Sequence, residues 1–363
     1  MESLDEMLKQ GIRFKISSSV IAIVIDDNTV DFRTNATQEI LTLRDSSQEG
    51  KLGRIIEYLA DNYATLGELM SRFNLSEEEA KALIEKLNRA GVLVFDFTNQ
   101  VGEENPFNDF LNLKMRMGYA PLSGEALQKV YSSRLLLVGI NQLSLALVKD
   151  LYALTKNVEL IDFKSSIEDV TFDGTSASEL LDSLKIKYSL YQPYELDLTV
   201  KPDVVVVTSE YDNVRMFEEI NKRMVESKTK WVLAYIDGTK FYISSFVPPA
   251  TACYHCGLTM QTAHFSLYKS YKRYIGLASK LNVINVKRRT GLTPFHLKLY
   301  AGLIGLEVIE LLLTNEGYFT GKEFSVDAVN LEFELTRLLK NPRCHVCSRV
   351  LSTPSPFKDT LFD

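Results

Sequence analysis

Four cysteines in two close pairs constrain this chain more than any other feature. The pairs are Cys253-Tyr-His-Cys256 and Cys344-His-Val-Cys347, and together they use every cysteine of the sequence. A two-residue gap allows both thiolates of one turn to face a single ion, and tetrahedral zinc takes four such ligands. The spacing therefore predicts one zinc ion that ties the end of the chain to the region around Cys253.

We expect this zinc to be structural. A catalytic zinc keeps one coordination position open for water, whereas four thiolates close the coordination sphere. His255 and His345 lie inside the pairs and offer alternative ligands. We interpret both as residues that face solvent or lie just outside the ligand sphere.

Metal ligation fits the compartment that the sequence predicts. The first residues, MESLDEMLKQ, lack the basic and apolar segments of a secretion signal, and no apolar run is long enough for a membrane helix. We therefore expect a cytoplasmic protein, and in a reducing cytosol close cysteine pairs are typical of metal sites. The net charge of −6 also disfavours nucleic acid, because phosphate binding depends on clustered Lys and Arg.

Residues 14–97 have the pattern of a small sheet followed by helices. β-Branched and alternating runs predict strands over 20–25, 29–33 and 39–43. Apolar residues at helical spacing from Leu52 onward predict the first helix.

Two capping boxes, Thr65 with Glu68 and Ser76 with Glu79, open two further helices, because a hydroxyl and a carboxylate satisfy the first amides. Gly91 ends the third helix ahead of a last strand. This order predicts a winged helix-turn-helix domain over residues 1–98, followed by a linker over 99–130.

The remainder, residues 131–363, alternates between strands and helices. Strands are expected at 135–138, 158–161, 204–207 and 231–236. Helices are expected at 143–154 and 214–225. This alternation predicts an α/β domain with a doubly wound, mainly parallel sheet.

This α/β pattern, followed by a Pro-rich turn into Cys-Tyr-x-Cys and by the late Cys-x-x-Cys, resembles the ThiF/MoeB-like activating-enzyme family over roughly residues 130–350. In that family the first strand runs into GxGxxG, whose backbone amides approach nucleotide phosphates. Here the loop reads Gly139-Ile-Asn-Gln-Leu-Ser144, which keeps one glycine of three.

The resemblance assigns a ribose contact to Asp162 and places Glu210 near the family's magnesium-binding aspartate, with Asp212 close by. Lys164 reverses the charge of a family carboxylate, and residues 167–178 hold no arginine for the triphosphate. Phosphate transfer depends on such groups. We therefore expect that this chain does not bind ATP; adenylation by unusual residues is the alternative. The vestigial nucleotide site comprises Gly139, Asp162 and Glu210.

A winged helix ahead of a degenerate activating-enzyme domain is similar to the partner proteins of azoline-forming, YcaO-type cyclodehydratases. These cyclodehydratases make thiazole and oxazole rings in ribosomally synthesised peptides (RiPPs), including bacteriocins such as thiazole/oxazole-modified microcins. The resemblance implies leader-peptide recognition by the front domain, a separate YcaO-type subunit that supplies ATP-dependent activation, a flavin-dependent dehydrogenase, and a homodimer. The chain alone is then a non-catalytic scaffolding and activating subunit.

In this interpretation the leader adds as a strand to the exposed edge of the small sheet and places apolar side chains in a groove beside the third helix. The groove residues are Leu41 and Leu43 on the edge strand and Leu83 and Leu87 on the helix. Each of the four is equally well explained as an ordinary core residue.

Two rival functions remain at this stage. One is an enzyme of the same fold that adenylates a peptide C-terminus. This enzyme and the scaffolding subunit differ at the nucleotide site. The other is a winged-helix DNA-binding regulator, although the expected recognition helix begins Ser76-Glu77-Glu78-Glu79, and these carboxylates oppose phosphate.

Two further segments have open interpretations. Lys287-Arg288-Arg289 follows Tyr268, Tyr271 and Tyr274, and either contacts an acidic peptide or partner subunit or is a solvated basic patch. The stretch 297–313 has helical spacing with small residues, which is typical of a core helix or of a dimer interface.

Overall fold

The computed structural model describes residues 4–35, 38–45, 49–96, 124–163, 169–191, 201–263 and 292–348, with the single positions 107, 110, 111, 114, 167 and 273. The chain divides into two compact units, residues 1–129 (unit 1) and 130–363 (unit 2). Several predicted features lie outside the described residues: Lys164, Lys287-Arg288-Arg289, Tyr268, Tyr271, Tyr274 and most of the linker over 99–130.

Unit 1 places a small sheet ahead of three consecutive helices. Its elements are α1 (Leu4–Lys9), β1 (Arg13–Ile16), β2 (Ile21–Asp26), β3 (Thr29–Asn35), β4 (Gln38–Arg44), α2 (Leu52–Asp61), α3 (Leu66–Phe73), α4 (Glu77–Arg89) and β5 (Leu93–Asp96). β2, β3 and β4 form an antiparallel sheet in that order, and β1 pairs antiparallel with β5. Among the described strands, β4 therefore pairs on one side only.

Local sequence chemistry fixes the ends of these helices. The capping boxes predicted at Thr65 and Ser76 are both present, and each hydroxyl accepts from the amide three residues on. Gly91 has a φ of 70°, a left-handed conformation that costs glycine little and that stops α4 before β5.

The core of unit 1 lies between the sheet and the helices. Val30 lies opposite Leu43 and Phe32 opposite Leu41, so these four side chains share one face of the sheet. The largest fully buried side chains of the unit are Phe14, Phe32, Ile56, Leu59, Leu69, Ile84 and Leu87. Burial of each such side chain contributes roughly 1.5–3 kcal/mol to folding.

Unit 2 is built on one large sheet. Its elements are β6 (Leu135–Val138), α6 (Gln142–Leu154), β7 (Val158–Asp162), β8 (Thr171–Phe172), β9 (Thr175–Ser176), α7 (Ala177–Ser183), β10 (Lys187–Leu190), β11 (Val204–Ser209), α8 (Val214–Ser227), β12 (Lys230–Asp237), β13 (Lys240–Phe246), α9 (Tyr254–Ala263), α10 (Pro294–Thr314), β14 (Lys322–Asp327) and β15 (Phe333–Arg337). Helix α5 (Gly124–Ser132) spans the boundary between the units.

The eight described strands of this sheet follow the order β10-β7-β6-β11-β12-β13-β14-β15. The first five run parallel, as predicted, whereas β13, β14 and β15 continue the sheet antiparallel. β6 and β11 are buried along their whole length because helices cover both faces. The chain moves from β6 to β7 and then returns to β11, so the strand order reverses between β6 and β11. Ligands of open α/β sheets bind at the carboxyl ends of the strands beside such a reversal.

The stretch predicted to be a core or interface helix forms α10. It buries most of its apolar residues but exposes Phe295, Leu299 and Leu306. No helix in the described part of the chain, α10 included, is both long and apolar enough to cross a membrane.

Candidate functional site

The four cysteines converge on one buried point in unit 2. Cys253 immediately precedes α9, Cys256 lies in its first turn, and Cys344 and Cys347 follow β15. The Sγ atoms of Cys253 and Cys256 are 3.8 Å apart, those of Cys253 and Cys344 3.7 Å, and those of Cys256 and Cys347 3.6 Å. Tetrahedral zinc with Zn–S bonds of about 2.3 Å separates its sulfurs by about 3.8 Å. The cluster could therefore hold a metal ion such as zinc.

The surroundings of these sulfurs favour a cation. Burial raises the pKa of Cys347 to about 12, whereas a hydrogen bond from Cys253 lowers the pKa of Cys256 to about 4. The backbone amide of Asn341 also donates to Cys256 Sγ at 3.4 Å. Four bare thiolates in one buried cluster repel one another, and a divalent ion removes that repulsion.

The two histidines inside the cysteine pairs lie beside this cluster. His255 Nδ1 is 2.7 Å from Glu218 Oε1, and the His255 and His345 rings lie edge to face with centroids 4.1 Å apart. Among the described residues, only the four cysteines form a group that can hold a metal ion. Four sulfur ligands already complete a tetrahedral shell, as structural zinc sites require.

A second candidate site is the turn from β6 into α6, where the surviving glycine lies. Gly139 has a φ of 102°, and a Cβ atom there would overlap the carbonyl oxygen of Thr208. Thr208 also donates through Oγ1 to Gly139 O at 3.1 Å. Glycine is thus required here by backbone packing alone, whether or not a phosphate binds.

The amides that follow Gly139 are engaged by side chains of this same chain. Asn141 Oδ1 accepts from the amides of Leu143 and Ser144, both at 3.1 Å. Glu210 Oε1 accepts from Gln142 N at 3.0 Å, and Asp162 Oδ2 accepts from Ile140 N at 2.7 Å.

The predicted trio of Gly139, Asp162 and Glu210 is therefore brought together at the carboxyl edge of the sheet. Its two carboxylates bind the amides around the helix start, which is the place where a nucleotide phosphate binds in folds of this type. Asn141 was missed at the sequence level, although an asparagine directly before an apolar-periodic helix is an N-cap signal.

A third candidate site is a cavity in unit 1 beside β4 and α4. Its volume is about 270 Å³. Leu43, Leu52, Ile55, Leu75 and Leu83 form its apolar lining. Its charged lining consists of Arg44, Asp45, Glu49, Lys51, Glu79 and Lys86.

Only two of the four leucines predicted to form a groove line the cavity. Leu43 and Leu83 line the cavity, from the strand and from the helix. Leu41 is half-buried on the same sheet face as Leu43 but is not part of the lining, and Leu87 is fully buried in the core. Leu87 thus lies on the inner side of α4 and Leu83 nearer its surface.

The cavity lies beside the open edge of β4. Asp45 N donates to Asn28 O at 2.8 Å, one position beyond the Thr29–Arg44 pair. Because hydrogen-bonded pairs alternate along an antiparallel ladder, the backbone groups of Leu43 point towards β3 and those of Thr42 and Arg44 point towards the open edge.

Comparison with solved structures finds similarity in fold to two heterocyclase structures and to E. coli MccB. The heterocyclase TruD aligns with a TM-score of 0.57 and 15% identity over 93% of this chain and 43% of that chain. E. coli MccB, in a structure with succinimide, aligns with a TM-score of 0.54 and 14% identity over 93% of this chain and 99% of that chain. A heterocyclase in complex with substrate and cofactor gives 0.57 and 16% over 93% and 39%.

The chain shares the fold of these proteins. It is a mixed α/β fold with a large, mostly parallel sheet, as the sequence predicted. The chain spans less than half the length of the two heterocyclase chains. No protein-family model matches the sequence, and neither does a curated protein.

Proposed function

We propose that this chain is the leader-peptide-binding and scaffolding subunit of an azoline-forming cyclodehydratase in RiPP biosynthesis, and that it activates a separate catalytic subunit. The observation that carries this proposal is the cavity of unit 1, lined by apolar and charged side chains, beside a strand edge that is open among the described strands. Unit 1 is then a winged-helix peptide-recognition domain.

The open edge and the cavity provide two complementary forms of recognition. Arg44 offers a main-chain donor and acceptor to an added strand, which give affinity without regard to sequence. The cavity between Leu43 and Leu83 accepts an apolar side chain of that strand, which gives selectivity. An extended leader peptide uses both, whereas a DNA duplex uses neither.

The glycine turn supports the absence of ATP chemistry. A phosphate at the start of α6 would have to displace Glu210 from Gln142 N and Asn141 from Leu143 N and Ser144 N. Asp162, the expected ribose ligand, instead accepts from Ile140 N and from Phe163 N, each at 2.7 Å. The nucleotide site is therefore vestigial, and its charged residues now stabilise the turn.

We propose a structural zinc at the four cysteines. An ion there joins the start of α9 to the segment after β15, which are far apart in the sequence. Because its four thiolates leave no open coordination position, the ion stabilises unit 2 without a role in a chemical step.

The comparison with TruD supports a separate partner subunit. More than half of that heterocyclase chain has no counterpart here. We propose that a separate YcaO-type subunit supplies this part in the cytoplasm. The precursor peptide is the second partner, a flavin-dependent dehydrogenase completes the assembly, and the scaffold itself is a homodimer.

One observation favours a second candidate function. MccB aligns over nearly its full length, and it has been solved with ATP, with 93% of this chain and 99% of that chain covered at a TM-score of 0.52. An adenylating enzyme acting on a peptide C-terminus is therefore the alternative. The two functions differ in whether the turn after β6 accepts nucleotide.

Peptide recognition is tested with a displayed library of random nine-residue peptides panned on the purified chain and on a Leu83→Glu variant. We expect peptides with alternating apolar residues to be enriched on the wild type. A labelled synthetic copy of an enriched peptide should bind the Leu83→Glu variant at least about tenfold more weakly than it binds the wild type, because the introduced carboxylate occupies the cavity. Equal enrichment on both proteins would contradict recognition by this cavity.

The alternative is tested separately by pyrophosphate exchange. The purified chain, supplied with Mg·ATP and a selected peptide, should not transfer label from pyrophosphate into ATP. Peptide-dependent exchange would establish adenylation and would contradict the scaffold function.

A further inference from the structure

Two cations on the cavity of unit 1 make no ion pair in the described part of the chain. Arg44 ends β4, and Lys86 lies in the last turn of α4. Both side chains are exposed, both line the cavity, and neither hydrogen-bonds to a described residue. Two neighbouring cations of α4 do form ion pairs: Lys81 pairs with Glu77 at 2.6 Å, and Arg89 pairs with Glu85 at 3.4 Å.

The carboxylates of the same cavity are engaged elsewhere. Glu49 pairs with Lys51 at 2.5 Å, and Glu79 accepts from the amide and hydroxyl of Ser76, both at 2.8 Å, within the capping box. Asp45 is the third carboxylate, and its charge acts on Lys51 and on Glu79. All three carboxylates act on Lys51, and none of them forms an ion pair with Arg44 or Lys86 in the described part of the chain.

We propose that this site selects acidic peptides: an extended segment whose apolar side chain fills the cavity while neighbouring Asp or Glu side chains pair with Arg44 and Lys86. The inference rests on the proposed function, because it specifies the peptide that the cavity binds. A carboxylate is the group that a guanidinium and an ammonium recognise on a peptide.

Arg44 is suited to this role by its position in the strand. The backbone groups of Arg44 point towards the open edge, so an added strand forms main-chain hydrogen bonds with Arg44 itself. Side chains directly opposite or diagonal across two strands lie within reach of each other. A carboxylate near the paired residue therefore meets the guanidinium without a change in the register of the strand.

A polyanion such as DNA fits the same charges poorly. Glu77 and Glu78 are exposed at the start of α4, next to the capping acid Glu79, and a continuous row of phosphates would meet all three. A short peptide can place one or two carboxylates at Arg44 and Lys86 and avoid this acidic end. The cavity also requires an apolar side chain, which a peptide supplies.

The test pans the nine-residue library on the full zinc-loaded chain, on an Arg44→Glu/Lys86→Glu double variant, and on a control that reverses two exposed cations of unit 2, Lys149→Glu/Lys187→Glu. The control carries the same change in net charge. We expect Asp and Glu to be enriched beside the apolar position on the wild type and on the control. On the Arg44→Glu/Lys86→Glu variant, Lys and Arg should be enriched beside the apolar position in place of Asp and Glu.

Synthetic peptides complete the test. An enriched acidic peptide and its twin with Asn or Gln in place of Asp or Glu are compared by fluorescence anisotropy. The acidic peptide should bind the wild type at least about tenfold more tightly than its twin, and this preference should vanish on Arg44→Gln/Lys86→Gln, a milder variant for use if charge reversal impairs folding.

The possible failures are distinguishable. Enriched apolar peptides without any excess of Asp or Glu would overturn this inference and leave peptide recognition intact. Absence of any enrichment relative to Leu83→Glu would overturn the proposed function and this inference with it. Tighter binding of a duplex oligonucleotide than of the acidic peptide, lost on Arg44→Glu/Lys86→Glu, would assign the cations to nucleic acid instead.

Discussion

At the scale of single residues, the turn after β6 contains the glycine that the family resemblance assigns to a nucleotide-binding loop, and side chains of the same unit accept from the amides that follow it. Gly139 is held in a left-handed conformation against Thr208, and Glu210 and Asp162 accept from the amides that follow. The retained residues thus have a structural explanation that does not involve a nucleotide.

Replacement of Gly139 tests this packing. Gly139→Ala should lower the free energy of unfolding by about 3 kcal/mol, because the methyl group meets a carbonyl oxygen in a disfavoured backbone conformation. Gly174→Ala is the matched control: its φ is 83°, but no atom lies within 4 Å of its Cβ position. The control should cost only about 1–2 kcal/mol. Equal losses in chemical denaturation would contradict the predicted clash.

The cysteine cluster gives a second prediction at this scale. Metal analysis should find about one zinc per chain, and Cys344→Ser should abolish it and lower the free energy of unfolding by about 3 kcal/mol or more. His345→Ala should keep the zinc, because His345 lies outside the four-sulfur group. A zinc-free Cys344→Ser protein with the wild-type melting temperature would show that the ion does not stabilise the fold.

Two carboxyls of unit 2, Asp212 after β11 and Glu323 at the start of β14, make stability depend on pH. Burial raises the pKa of Asp212 to about 7, with the charge of Asp237 adding to the effect, and burial next to the charges of Asp212 and Glu334 raises the pKa of Glu323 to about 7. Tyr235, Tyr242 and Gln261 are the other polar groups that face them. The folded state therefore holds protons that the unfolded chain releases near pH 4.

The sign of this dependence follows from linkage. Because both folded-state pKa values are raised, the free energy of unfolding should fall as the pH rises from about 4 to about 7 and then level off. Asp212→Asn should raise stability near pH 8 by about 1–2 kcal/mol, a value reduced for partial exposure, and change it little near pH 4. Urea titrations across this range measure the effect; an unchanged slope in Asp212→Asn would contradict it.

At the scale of elements, β4 and α4 both line the cavity. The four leucines predicted to form the groove differ in how exposed they are. Helical spacing placed Leu83 and Leu87 on one face, since they are four residues apart. In the structure Leu87 is fully buried, whereas Leu83 is half-buried and lines the cavity.

This division gives a prediction with its own internal control. Leu87→Ala should lower the free energy of unfolding by about 3 kcal/mol, because it leaves a void in the core. Leu83→Ala should cost about 1 kcal/mol and instead weaken binding of a selected peptide. The result that would contradict the assignment is a larger loss of stability for Leu83→Ala than for Leu87→Ala.

Sequence patterns were sufficient for some elements and insufficient for others. The capping boxes at Thr65 and Ser76 and the buried strands β6 and β11 carry strong local signals, and all are present. The antiparallel extension was missed because β15 is only five residues long and its two apolar side chains, Phe333 and Leu335, are exposed instead of marking a buried face. Among the described strands β10 pairs with β7 alone, and its four residues are too few for alternation to be a distinctive signal.

At the scale of the whole molecule, sequence reasoning identified the residue types of each site but not their contacts. The four cysteines could be assigned to one ion from spacing alone. The contacts that close the glycine turn join residues about seventy positions apart, as in Gln142 with Glu210, and no local pattern reveals them. That Arg44 and Lys86 make no ion pair with the residues that the structure describes is likewise visible only once the partners of neighbouring charges are known.

We propose that the whole molecule is a peptide-binding subunit whose former nucleotide site is occupied by its own side chains. The cavity proposed for the peptide lies in unit 1, and the glycine turn and the cysteine cluster lie in unit 2. We therefore expect that nucleotide does not influence peptide binding.

The most direct test is a fluorescence anisotropy titration of the zinc-loaded chain with a labelled library-selected peptide, with and without saturating Mg·ATP. We predict micromolar or tighter binding that is lost in Leu83→Glu and is unchanged by Mg·ATP. Peptide binding that appears only with Mg·ATP, or that is unaffected by Leu83→Glu, would contradict the account.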